Sequence, residues 1–180
     1  MEGHILHAPA FGGEYKRLFT YADGSCFFHS LAMVLYGKAY QDLDTKLQIQ
    51  LGHKLRECLF EDDEYRAFLE EHGFLNVPTI VQPHDALEPG IQADEAMINF
   101  TAKRLNFNIC ILVNPTEKYV RDVDNSQPWI LIAWINRMHF EPIVYVHDYS
   151  TFAVKNELLN ISDNHHLLAP DDPLVTWLKK

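Results

Sequence analysis

Seven consecutive apolar residues, Trp129-Ile130-Leu131-Ile132-Ala133-Trp134-Ile135, constrain this chain most. A half-buried strand would alternate polar and apolar residues. This run has no polar side, so it reads as a strand covered on both faces. Asn136-Arg137-Met138 makes a turn, and Ile143 to Val146 reads as the next strand, close enough to pair antiparallel. Ile109-Cys110-Ile111-Leu112-Val113 is a second wholly apolar run. A sheet with strands of this kind needs helices to cover it.

The rest of the chain supplies them. From Cys26, the spacing Phe28, Leu31, Ala32, Leu35 marks one helix face, widened by Phe27 and Val34, with an end expected near Gly37. Asp42 or Asp44 can cap a second helix from Thr45, with Leu47, Leu51, Leu55 and Leu59 as its buried side. A shorter helix is expected from Asp62 to about Glu71, ending at Gly73, with Glu61-Asp62-Asp63-Glu64 as a solvated start. Residues 76–90 carry three prolines and read as a loop or a broken helical segment. Ala93, Ala96, Met97 and Phe100 mark a further helix running to Leu105. A short edge strand is expected around Lys118-Tyr119-Val120, and an amphipathic piece from Pro173 to Leu178. Residues 1–20, with Pro9 and Gly12-Gly13, read as an arm across the domain. The expectation is one α+β domain over residues 1–180, with a mostly antiparallel central sheet packed between helices.

The net charge of −10 points away from nucleic acid and anionic membranes and suits a basic protein or peptide partner. No apolar run approaches the ~20 residues of a membrane span, and Met1-Glu2-Gly3-His4 does not open a signal peptide. Three cysteines are too few for a disulfide scaffold, which suggests a reducing compartment and a cytoplasmic location. Cys58 and Cys110 lie among apolar neighbours and read as packing thiols. No paired H-x-x-x-H or C-x-x-C supports a zinc site, and no cofactor is expected.

Chemistry concentrates in Asp23-Gly24-Ser25-Cys26-Phe27-Phe28-His29-Ser30. An Asp-Gly turn leads into a helix, which places Cys26 among unpaired backbone N–H groups that favour its thiolate. These residues suit a cysteine hydrolase. Cys26 is the nucleophile, and the N–H groups of Asp23, Gly24, Ser25 and Cys26 form the oxyanion hole, with the Asp23 side chain shaping the turn. His139, in the loop between two strands, is the candidate base. Glu141 lies on the same side of an extended segment and is placed to orient the ring, although a neighbouring Asn or Asp23 itself could serve instead. His29 shares an element with the nucleophile and reads as structural. His165-His166 has no partner at ligand spacing.

The stretch from Asp23 to Ala32 resembles the nucleophile motif of the OTU (ovarian tumour) cysteine proteases. Trp134 to Val146 resembles their histidine motif, and Ile91-Gln92-Ala93-Asp94 through Val113 a third feature between the two. The resemblance spans about residues 15–147. It implies a papain-like fold and hydrolysis at the ubiquitin C-terminus, with Cys26 as nucleophile, His139 as base and Glu141 where relatives usually carry Asp or Asn. The compact size is similar to viral or bacterial-effector members, which would act in a host cytoplasm. The expected partner is ubiquitin or polyubiquitin, with ubiquitin-like modifiers also accepted by some relatives. The tail would lie between the 76–92 loop and the turn before His139. Trp134 and Phe140 could wall it or belong to the core, and Asp94 could meet a basic tail residue. A protease for another substrate, such as a viral polyprotein, and a non-catalytic ubiquitin-binding module are the competing readings.

Overall fold

A computed structural model describes residues 5–6, 14–114, 116–145 and 148–179. Pro9, Gly12, Gly13 and Val146 lie outside the described residues. The strands are β1 (Ile5–Leu6), β2 (Tyr15–Arg17), β3 (Asn108–Asn114), β4 (Glu117–Tyr119), β5 (Trp129–Ile135) and β6 (His139–Tyr145). The helices are α1 (Cys26–Gln41), α2 (Thr45–Phe60), α3 (Glu64–Glu71), α4 (Pro83–Ala86), α5 (Glu95–Leu105) and α6 (Pro173–Leu178).

The strands form one six-stranded sheet in the order β1-β2-β6-β5-β3-β4. The β3–β5 pair is parallel and the others are antiparallel, so the architecture is α+β as expected. The apolar runs of β3 and β5 are covered on both sides. Ile109, Ile111, Ile130, Ile132 and Phe140 pack with the larger helical core, which includes Phe27, Phe28, Leu31, Leu59 and Phe100. Cys110, Leu112, Leu131, Ala133 and Ile143 pack on the other side with Leu174, Val175 and Leu178 of α6.

Local chemistry accounts for most boundaries. Asp44 caps α2 by accepting from the Leu47 N–H at 2.9 Å, Asp94 caps α5 through the Met97 N–H at 2.9 Å, and Asp172 caps α6 through Leu174 at 2.9 Å. The helical run from Cys26 breaks at Gly37 as expected, at φ 46 and ψ −114, and a second helical piece carries α1 on to Gln41. Two expectations are corrected. Leu47 is 45% exposed, so the buried side of α2 is carried by its later turns at Leu55 and Leu59. β6 begins at His139, which pairs with Ile135; the candidate base is therefore a strand residue and not a loop residue. The turn between them is tight because Asn136 and Arg137 both adopt positive φ, and the Met138 N–H donates to Ile135 O at 3.0 Å. The 76–90 stretch contains only the single turn of α4, as its prolines suggest.

Candidate functional site

α1 opens at Cys26, with Ser25 as its N-cap. Gly24 makes the preceding turn at φ +84, and a Cβ there would lie 2.7 Å from Gly90 O; the turn thus needs glycine for both conformation and space. The Asp23 carboxylate accepts from the Ser25 N–H at 3.0 Å, which closes the turn as expected. That bond has a consequence for the oxyanion assignment. The Ser25 N–H is already committed and leaves the set. The N–H groups of Asp23, Gly24 and Cys26 donate to no acceptor among the described residues.

The sulfur is fully buried, at 0% exposure. It accepts from the Phe140 N–H at 3.5 Å, and its S–H faces Gln92 Oε1 at 3.5 Å. The contact with Phe140 sets the nucleophile beside the residue that follows His139. Burial pushes the Cys26 thiol above its ordinary range, and the Phe140 and Gln92 contacts oppose this without reversing it. The expected helix-start position is present, but it does not lower the thiol in this resting arrangement. Cys110 is pushed up to about 12 by the same effect, and Cys58 is half-buried.

His139 Nε2 lies 3.3 Å from Thr20 Oγ1 and 3.4 Å from Glu141 Oε2. Thr20 Oγ1 spends its own proton on Phe140 O at 2.6 Å, so it presents a lone pair to the ring. Two acceptors at Nε2 assign the proton to that nitrogen and leave Nδ1 unprotonated. Nδ1 is buried and has no hydrogen-bond partner among the described residues. The strand period does place Glu141 beside His139, and the other Glu141 oxygen is 3.6 Å from Arg17 Nε.

Other expected residues go elsewhere. The Asp23 carboxylate meets His29, with Nε2 at 2.9 Å from both oxygens, and His53, with Nε2 at 3.5 Å, rather than His139. Burial alone would raise its pKa, but His29 and the Ser25 N–H hold it below the ordinary value. His29 is fully buried, with its ring held against the Asp23 carboxylate. Asp94 has both oxygens on backbone amides, Met97 N–H at 2.9 Å and Val81 N–H at 2.8 Å, so it caps a helix and pins the 76–90 loop. The Phe140 ring is 3% exposed, lodged between Phe27 and Trp134, and does not wall a groove. Trp134 is half-buried and stacks on it with centroids 5.8 Å apart.

Two site residues carry no role in the sequence reading, although Gln92 lies in the stretch from Ile91 to Asp94 singled out there. Gln92 Nε2 donates to Met138 O at 2.7 Å, so this side chain joins the two banks of the expected groove directly over the thiol. Arg56, fully buried on α2, donates to Ala86 O at 2.9 Å, Gly24 O at 3.0 Å, Ile91 O at 2.7 Å and Ser25 Oγ at 3.2 Å. It holds the Gly24 turn and the Gln92 loop in one place. Only its position in the Leu55–Leu59 stripe could have hinted at burial.

No protein-family model and no curated protein matches the sequence. Solved structures do match. An ovarian tumour (OTU) domain in complex with ubiquitin aligns over 98% of this chain and 86% of its own, at 15% identity and a TM-score of 0.61. The chain has the OTU fold. The OTUD1 OTU domain aligns over 72% of this chain and 85% of its own, at 17% identity and a TM-score of 0.50. Likeness of this kind establishes the backbone arrangement; what Cys26 and His139 do rests on the chemistry of the site.

Proposed function

We propose that the protein is a thiol-dependent deubiquitinase that cleaves isopeptide bonds at the ubiquitin C-terminus through Cys26 and His139. One observation carries the proposal: on an OTU fold, the residue after His139 donates its N–H to the Cys26 sulfur, while Thr20 and Glu141 leave the inner ring nitrogen free to take a proton. An OTU domain of similar backbone is known in complex with ubiquitin. The net charge of −10 also suits a partner with a basic tail.

In this reading the substrate tail displaces Gln92 from Met138 and enters between the 76–92 loop and the Asn136-Arg137 turn. His139 Nδ1 takes the S–H proton as the sulfur attacks the terminal glycine carbonyl. Glu141 stabilises the imidazolium that forms. The N–H groups of Gly24 and Cys26 face the developing oxyanion. The imidazolium then gives its proton to the departing lysine amine. Water activated by His139 releases the thioester. All of these steps use side chains and backbone of this chain, in a compartment that keeps Cys26 reduced.

Ubiquitin carrying a C-terminal thiol-reactive group tests the reading. Covalent capture is expected, and it is lost in Cys26→Ala. Absence of capture by folded protein overturns the reading. Capture of a ubiquitin-like modifier in place of ubiquitin moves the substrate assignment and keeps the chemistry.

A further inference from the structure

The residues that brace the Asp23 turn have a second property, independent of hydrolysis. Asp23, His29 and His53 bring one carboxylate and two imidazoles together so that one donor atom from each lies within 4.8 Å of the others. Asp23 and His29 flank the start of α1, and His53 reaches across from α2. Ligands of one ion, bound at about 2.0–2.1 Å with near-tetrahedral angles, lie roughly 3.3–3.5 Å apart. Asp23 Oδ2 and His53 Nε2 are 3.5 Å apart. His29 Nε2 is 2.9 Å from Asp23, which needs only a small opening to admit an ion.

The His53 nitrogen is the telling atom. Nε2 is buried, yet it has no hydrogen-bond partner among the described residues. It faces a carboxylate oxygen without closing a bond to it. His29 Nδ1 and His139 Nδ1 also lack partners among the described residues, but His53 Nε2 differs from them in facing a carboxylate oxygen at the spacing of two ligands of one ion. We propose that Asp23, His29 and His53 form a binding site for a divalent transition-metal ion of the zinc class.

The surroundings fit such a site. Asp23 Oδ1 remains on the Ser25 N–H, which orients the carboxylate as an outer-sphere partner should. One-third of the Asp23 side chain is exposed, so water can complete the coordination. Two features make the site weaker than a four-ligand structural zinc centre. Coordination through His29 Nε2 moves the ring proton to Nδ1, which is packed so close to Gly52 that a Cβ there would lie 2.0 Å away. That nitrogen has no partner among the described residues. The Arg56 cation is also near, bonded to Gly24 O. The ion is therefore a reversible ligand that ties the turn before Cys26 to α2.

The test uses the full chain carrying Cys26→Ala, since the catalytic thiol is itself a metal ligand. Titration with Co²⁺ is expected to give visible bands of a nitrogen–oxygen site, at one equivalent, with no thiolate charge-transfer band. Calorimetric Zn²⁺ affinity should fall at least about tenfold on adding His53→Ala and stay unchanged on adding His72→Ala. A thermal melt without metal checks that His53→Ala is folded. A second readout needs no histidine substitution: Zn²⁺ must shift the ring-proton resonances of His29 and His53 and leave those of His165 in place. Absence of these shifts, or equal weakening by the two alanine substitutions, overturns the proposal.

Discussion

Arg56 offers a sharp test of how the turn before Cys26 is held. Its guanidinium is fully buried and ends on three backbone carbonyls and one hydroxyl, with no carboxylate paired to it among the described residues. Phe28 covers one face, with the guanidinium carbon 4.4 Å from the ring centroid. Burial lowers its pKa to about 10, so it stays cationic at neutral pH. The planar fork spans Ala86, Gly24 and Ile91 together, which a single ammonium cannot do. In Arg56→Lys the charge survives, but one or two carbonyls lose their donor. A hydrogen bond to a charged group contributes about 1.5–3 kcal/mol, and some of the loss is recovered by water at the part-buried positions. The expected net cost is about 2–4 kcal/mol. With a urea slope of about 2 kcal/mol/M, the midpoint falls by roughly 1–2 M. Turnover of a ubiquitin-derived substrate should fall further than stability alone explains, at temperatures where the variant is still folded, because Gly24 loses its anchor. A midpoint within about 0.2 M of the parent would refute the reasoning that Arg56 knits these segments.

Three further outcomes follow from the same geometry. Gln92→Ala removes two hydrogen bonds from over the thiol, each contributing about 1 kcal/mol, so alkylation of Cys26 by iodoacetamide should speed up by up to about thirtyfold; an unchanged rate means that Gln92 does not restrict access. Glu141→Gln keeps an acceptor near His139 but removes the charge that steadies the imidazolium, so kcat should fall about 10- to 100-fold with KM nearly constant, and an unchanged kcat removes Glu141 from the mechanism. Burial holds His166 neutral, with its pKa lowered from 6.5 to about 4. The stability it contributes is present above about pH 6.5 and is lost as pH falls towards about 4. Between about pH 7.5 and pH 4.5 the parent should lose about 2–3 kcal/mol more unfolding free energy than His166→Leu, and equal losses would show that His166 is not the titrating group.

What could be read in advance divides by range. β5 was legible because an uninterrupted apolar run admits few other placements, and it is buried on both faces. Cys26 at a helix start followed from Asp23-Gly24, and the His139–Glu141 pairing followed from the two-residue period of a strand. Those features are local. Asp94 was legible as a helix opener, but the sequence did not show that its second oxygen would take the Val81 N–H and tie down the loop before it. Phe140 carries the same lesson: an aromatic next to a candidate base suits a groove wall or a core, and β6 packs its ring into the larger core. Gln92 and Arg56 act on residues thirty or more positions away, where periodicity says nothing. The helix-start argument for a thiolate was sound as a local statement. Burial of the sulfur in the folded chain outweighs it, and the contacts from Phe140 and Gln92 offset only part of that.

The way the Gly24 turn is secured has a physical reason within the proposed chemistry. Backbone that offers N–H groups to an oxyanion cannot spend them on a sheet ladder or the body of a helix. The turn must therefore be fixed through its other groups. Arg56 takes Gly24 O, Asp23 takes the Ser25 N–H, and Ser25 Oγ donates to Pro89 O at 2.9 Å. These contacts leave the Gly24 and Cys26 N–H groups without acceptors among the described residues. Regular secondary structure would have been a cheaper anchor, but it would have consumed those same donors. A buried arginine is costly to desolvate, and its use here is consistent with a turn that has to be rigid while its amides stay free.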